Sequence, residues 1–340
     1  MNVIQRCLSA CGSVLLSTCV AGVIPGLGPA PAAAQPAADR GSEQTEHWSR
    51  VFKVPQKGSL DLTSLAGDVV VLGVAGDEIR IDAVKRVRAK GGDENRALLE
   101  GLDIRVNEAA GRVEISTVFP RRHKVHAEID FRIQVPFHAE VAVHTVSGDI
   151  RLEKVQGEAR VESVSGDLTL TGIERLLRAK TVSGDLTVSG SGGDVVTGGT
   201  VSGDLIAKGL KANACDLQSV SGDVTVTESL CRRAQLRSIS GGIEYAGQLA
   251  AGGRYEFNSH SGDVRLSVPD GSGFELVANT FSGQLQSDFR MSGTREGEPG
   301  RSSMPQRELR GTVGDGSAYV VVKTFSGAVT VTRSAPAPRR

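Results

Sequence analysis

The chain has 340 residues, and its 39 Lys and Arg balance 39 Asp and Glu, so the formal charge is zero. That balance excludes the basic footprint of a nucleic-acid-binding protein. Only 4% of residues are aromatic, which suits a narrow interior filled by Val, Leu and Ile.

Residues 1–34 read as a secretory signal peptide: a start carrying Arg6, an apolar stretch of small residues, and Ala32-Ala33-Ala34 before Gln35 as an A-x-A cleavage site. Leu8-Ser9-Ala10-Cys11 has the form of a lipobox, but too little apolar chain precedes it, so a lipid anchor at Cys11 is the lesser reading. No later segment is apolar enough to span a membrane. The expectation is an exported protein of the periplasm or cell surface. Cys7, Cys11 and Cys19 leave with the signal, and an oxidising exterior permits Cys215 and Cys231 to pair. They occupy different places in their repeats, so the pairing stays open. Neither has the partner constellation of a catalytic thiol.

Residues 35–46 read as a linker, and 47–140 as a β segment that caps the first coil of a repeat region. Strand patterns fall at Trp48–Val54, Gly67–Leu72, Ile79–Val84, Asp103–Val106, Arg112–Ser116 and Glu128–Val135. One helix is expected with Asp93 as N-cap before Glu94 to Leu102, and Ala97, Leu98 and Leu102 available to pack. Arg121, Arg122, His123 and Lys124 form a basic loop suited to an anionic polymer or lipid headgroups, although a solvated loop is the plainer reading.

From residue 141 a repeat takes over. A Ser-Gly mark, usually Ser-Gly-Asp, begins at Ser147, Ser165, Ser183, Ser202, Ser221, Ser240, Ser261, Ser282 and Ser326. The first eight are 18 to 21 residues apart. A fixed period near 20 residues signifies one unit stacked many times, hence an all-β, parallel β-solenoid with two strands per coil. Two residues before each mark stands a hydroxyl, from Thr145 and Ser163 through to Thr324, and four before it the residue is usually apolar, as in Val143, Val161 and Leu217. This is the period-two pattern of a strand with one buried face. After the Asp it resumes with Ile150 and Leu152, then Leu168 and Leu170. Glycines midway between marks, as at Gly157 and Gly193, supply a second corner. Residues 141–289 form the solenoid, 290–316 a flexible polar excursion, 317–333 closing strands, and 334–340 a disordered tail.

One column resists this scheme. Immediately before the Ser stand Val146, Val164, Val182, Val201, Val220 and Ile239, then His260, Phe281 and Phe325. Strict alternation puts them outside. The expectation favoured on general grounds is that the corner bulges and rotates them into the core, because long exposed apolar stripes are uncommon. The alternative is a docking ridge of Val146, Val164, Val182, Val201, Val220 and Ile239.

The segments Gly67-Asp68-Val69-Val70-Val71 and Phe131-Arg132-Ile133-Gln134-Val135-Pro136, the helix after Asp93 and the Val-Ser-Gly-Asp series occur in an order that resembles the bacterial DUF4097 family. The resemblance runs from about Val51 to Val331. It implies a parallel β-solenoid outside the cytoplasmic membrane and an envelope role under an adhesin label. It supplies no catalytic residues to carry over; no cofactor is expected. The chain departs from the pattern at Gly242, Gln284 and Ala328, where the Asp is missing.

Asp149, Asp167, Asp185, Asp204 and Asp223 stack in one column, and calcium between coils would relieve their repulsion. The plainer reading is that each Asp caps its own corner and faces water. The buried hydroxyls are expected to satisfy one another as a ladder. A polysaccharide-active β-helix enzyme needs clustered acids and sugar-stacking aromatics, and with one Trp and three Tyr the chain offers few. The reading adopted is a non-enzymatic, adhesin-like envelope scaffold. Its partner would be an envelope protein or surface polymer, self-association through the solenoid ends is left open, and a glycan-active enzyme or calcium-stabilised adhesin is the alternative.

Overall fold

A strand that buries every second residue can close on itself only if the chain turns twice per repeat. The computed structural model describes residues 43–89, 92–119, 126–296 and 307–334, and in it each repeat makes those two turns. The expected signal peptide, Cys11, the basic stretch Arg121 to Lys124 and the expected tail beyond Ser334 lie outside the described residues. Among the described residues helix is confined to Gly92–Gly101, and strands and turns make up the rest. The protein is a β-solenoid.

Strands ending at the Ser form one sheet, here the leading sheet, and strands starting after the Asp form the trailing sheet. Glu140–Ser147, Glu158–Ser165 and Arg175–Lys180 are parallel neighbours in the first. Ile150–Glu153, Leu168–Thr171 and Leu186–Ser189 are parallel neighbours in the second. Along these trailing strands register is kept column by column, so Leu168 lies between Ile150 and Leu186. The two sheets share a core in which Val143, Val161, Leu217 and Leu236 face Ile150, Leu168, Leu205 and Val224, all nearly inaccessible. Burying each such side chain contributes about 1.5–3 kcal/mol. At Gly198 the missing side chain is filled from beside it: a Cβ there would lie 2.7 Å from Leu217 Cδ2.

Stack order departs from chain order at both ends. Ala318–Ser326, the last strand of the leading sheet in sequence, lies between Arg254–Ser261 and Phe274–Ser282. The closing strands therefore close nothing; they are inserted, and the Ser326 corner sits between those of Ser261 and Ser282. At the other end Ser59–Ala66, absent from the expected strands, pairs with both Arg112–Val118 and Glu140–Ser147. Its corner, Ala66-Gly67-Asp68, is a true coil of the stack.

Antiparallel strands flank the parallel stack at both ends. Glu43–Lys53 and Glu78–Arg88 pair antiparallel, so the expected linker contributes residues 43–46 to a strand. The expected excursion also holds strands: Ser292–Glu296 and Arg307–Val313 pair antiparallel, and the latter pairs with Phe274–Ser282. A reversed strand ends a parallel stack without offering another coil a matching edge. Leu98 in the helix and Leu102 just after it are buried as expected, but Ala97 is exposed. Asn95 is buried instead and accepts a hydrogen bond from the Ala89 amide at 2.7 Å.

Candidate functional site

The Ser-Gly-Asp mark is explained by the groups a corner leaves without ladder partners. Where the chain leaves one sheet for the other, the Gly carbonyl and the Asp amide lose their backbone partners, and a buried unpaired group costs about 1–3 kcal/mol. Side chains of the mark supply both. Thr200 Oγ1 donates to Gly184 O at 3.0 Å, Ser219 Oγ to Gly203 O at 3.2 Å and Ser238 Oγ to Gly222 O at 3.1 Å. Asp185 Oδ1 accepts from the Asp204 amide and Asp204 Oδ1 from the Asp223 amide, each at 2.8 Å.

Two expectations are corrected here. The hydroxyls do not chiefly satisfy one another: only Thr145 Oγ1 to Ser163 Oγ, at 3.0 Å, is such a bond among those described. Thr181, Thr200, Ser219, Ser238, Ser259, Thr324 and Thr280 instead donate to the glycine carbonyl of the preceding corner in the stack, the nearest orphan acceptor, whereas the buried Ser64 Oγ has no hydrogen-bond partner among the described residues. The Asp likewise caps the next corner rather than its own. The column begins at Asp130, whose Oδ1 accepts from Asp68, and continues through Asp149 and Asp167 to Asp185. After Asp223 accepts from the Gly242 amide, the chain of carboxylates is interrupted, resuming where Asp263 accepts from Ala328. One oxygen of each carboxylate in the run is thus committed to an amide. No group of three or more metal-capable side chains occurs among the described residues.

The glycine has its own reason. Gly203 adopts a φ of 142°, and a Cβ on it would overlap the Gly184 carbonyl oxygen.

The apolar column is outside, and the expected inward bulge does not occur. Val146, Val164, Val182, Val201, Val220 and Ile239 are 42–51% exposed, while the hydroxyls one residue earlier are at most 8% exposed. The corner carbonyl claims the hydroxyl, and alternation then forces the next residue outward. The column is also longer than the expected ridge. Leu65 precedes Val146 in the same position and is exposed, and Phe325 is 49% exposed beyond Ile239. His260, Phe325 and Phe281 stack in that order, with ring centroids 5.1 and 4.8 Å apart and planes 13° and 3° from parallel. Leu65 could have been found from Gly67-Asp68. The aromatic stack could not, because it depends on Ser326 lying between Ser261 and Ser282.

Beside this ridge on the leading sheet run two polar columns. One holds His144, Glu162, Lys180, Gly199, Gln218, Arg237, Asn258, Lys323 and Asn279 in stack order. The next holds Arg160, Arg178, Thr197, Asp216, Gln235 and Glu256. Between ridge and polar column lies a groove of about 680 Å³, walled by Val164, Val182, Val201 and Val220 and floored by Thr181 and Thr200. Arg178 lies 3.4 Å from Glu162, and Arg237 lies 3.8 Å from Asp216. The wall mixes apolar surface, cations and amides.

In the core nearby, Cys215 and Cys231 form a disulfide with Cα atoms 6.3 Å apart. They are three positions out of register on neighbouring strands, Cys215 facing Ala234 and Cys231 facing Ala212, which is why spacing alone left the pair open. Tyr255 Oη donates to Cys231 O at 2.7 Å and accepts from the Ala250 amide. Burial pushes the phenols of Tyr245 and Tyr255 upward, so both stay neutral donors.

No curated protein matches this chain. Solved structures similar to it at low identity include the following three. A "putative adhesin" from Bacteroides fragilis is 12% identical with a TM-score of 0.40, covering 84% of this chain and 97% of that one. A "putative lipid binding protein" from Parabacteroides distasonis is 12% identical with a TM-score of 0.45, covering 85% and 97%. A "putative adhesin" from the same species is 11% identical with a TM-score of 0.45, again covering 85% and 97%. The family model Toastrack DUF4097 matches residues 51–195 and again 174–332. With nearly the whole described solenoid inside those two stretches, the chain belongs to the Toastrack DUF4097 family.

Proposed function

We propose that this protein is a non-enzymatic, exported cell-envelope module that binds its partner through the outer face of the leading sheet. The observation that carries this reading is the ridge itself: an apolar column exposed on coil after coil, bordered by a groove and a mixed polar wall. Exposed apolar surface of this extent on a soluble face marks an interaction site. Export is supported by the signal-like character of residues 1–34 and by the buried Cys215–Cys231 disulfide, since such bonds persist in oxidising compartments. Among the described residues no helix is long and apolar enough to cross a membrane.

The test is co-sedimentation of the purified protein with isolated cell envelopes, alongside Val164→Asp with Val182→Asp. The double variant is expected to lose binding while its melting temperature stays nearly unchanged, because both side chains already face water. Unchanged binding, or turnover of an acidic or neutral glycan by the wild type, would overturn the reading.

A further inference from the structure

The ridge is a comb. Its teeth stand one per coil, about 4.8 Å apart, from Val146 to Phe281. A rigid comb is complemented along its whole length only by a surface of the same period, and a second copy of this chain carries one. We propose that the occupant of the ridge is a second copy, packed face to face and antiparallel, with the two-fold axis passing at Val220. This rests on the reading of the leading-sheet face as an interface and names its partner.

The polar columns fix both direction and register. With the axis at Val220, Glu162 of each copy faces Lys323 of the other, and Arg178 faces Glu256. Arg178 and Glu162 already lie together at 3.4 Å, so this pair meets the second copy's Glu256 and Lys323 with opposite signs matched, twice by symmetry. Lys180 faces Asn258, and Arg237 faces the notch where Gly199 has no side chain. Gln218 meets its own copy on the axis, as an amide can, being both donor and acceptor. Asp216 also meets its copy there, and it lies 3.8 Å from Arg237. On the ridge, the small end faces the aromatic end: Val146 against Phe281 and Val164 against Phe325.

Slipping by one coil destroys the match either way. One slip sets Lys180 opposite Arg237 and His144 opposite Lys323; the other sets Lys180 opposite Lys323. A parallel pairing about an axis along the stack would instead bring each tooth against its own copy.

The extent is sufficient for a reversible dimer. From Val146 to Phe281 the face runs about 38 Å, and its three columns span about 13 Å before marginal side chains are added. That approaches the roughly 800 Å² per partner of a standard interface.

The experiment is sedimentation velocity combined with short bismaleimide crosslinking, in a full chain with Cys7, Cys11 and Cys19 changed to serine. Cys215 and Cys231 are protected by their disulfide. Val220→Cys is expected to crosslink to itself, because facing sheets lie about 10 Å apart. Val146→Cys is expected not to, whereas Val146→Cys mixed with Phe281→Cys should crosslink. Glu162→Lys should raise the dimer dissociation constant about tenfold, and adding Lys323→Glu should restore it to within about twofold.

A monomer at every concentration overturns the proposal, as does self-crosslinking of Val146→Cys as strong as that of Val220→Cys. A monomer that still binds envelopes, and loses that binding in the Val164→Asp, Val182→Asp variant, would leave the envelope function standing and assign the ridge to another partner. A dimer of the expected register that binds no envelope would leave the pairing standing and remove the envelope function.

Discussion

Thr200 and Val201 are adjacent, yet the hydroxyl is buried and the valine lies 45% exposed. The same inversion holds for Thr181 and Val182 and for Ser219 and Val220. Hydrophobicity alone would place them the other way. What decides is the corner: the Gly carbonyl of the preceding coil needs a donor inside, the hydroxyl is the donor within reach, and strand alternation then sends the next side chain out. A polar residue can thus be core and an apolar one surface when a backbone group sets the direction.

Breaking the corner on which both columns depend should have the largest effect. Gly203→Ala puts a Cβ onto the Gly184 carbonyl at a φ of 142°, and a loss of at least about 3 kcal/mol is expected in denaturant unfolding. A loss below about 1 kcal/mol would show that the coils can separate there without harm. Reducing Cys215–Cys231, which closes a sequence separation of 16, should lower stability by about 2–3 kcal/mol in the same measurement. Asp185→Ala removes the acceptor of the Asp204 amide at a solvent-facing corner, and about 1 kcal/mol is expected, as for loss of a helix cap. Calcium is expected to have no effect on the melting temperature, since one oxygen of each carboxylate from Asp149 to Asp223 already serves an amide. A calcium-dependent rise in melting temperature would return the Asp column to metal binding.

The period of the Ser-Gly marks made the solenoid legible, because every coil repeats the same local problem and solves it with the same residues. The inner columns came from alternation. What could not be read was anything depending on which coil neighbours which. Insertion of Ala318–Ser326 between Ser261 and Ser282 is a long-range pairing, and the His260, Phe325 and Phe281 stack exists only through it. The ridge is visible in the sequence as a column, but hydrophobicity points it inward, whereas strand alternation and the corner carbonyl turn it out. The polar segment near Arg307 read as flexible because its Gly and Arg content hides an antiparallel strand.

The most direct measurement is the unfolding free energy of two single exchanges at adjacent residues, Thr200→Val and Val201→Thr. Both are nearly isosteric: the first removes the hydroxyl on the buried side of the sheet, and the second adds one on the exposed side. Thr200→Val should cost about 1–3 kcal/mol by orphaning the Gly184 carbonyl, and Val201→Thr should stay within about 0.5 kcal/mol. The reverse order, with Val201→Thr the costly change, would mean that the valines form the core and that no docking ridge exists.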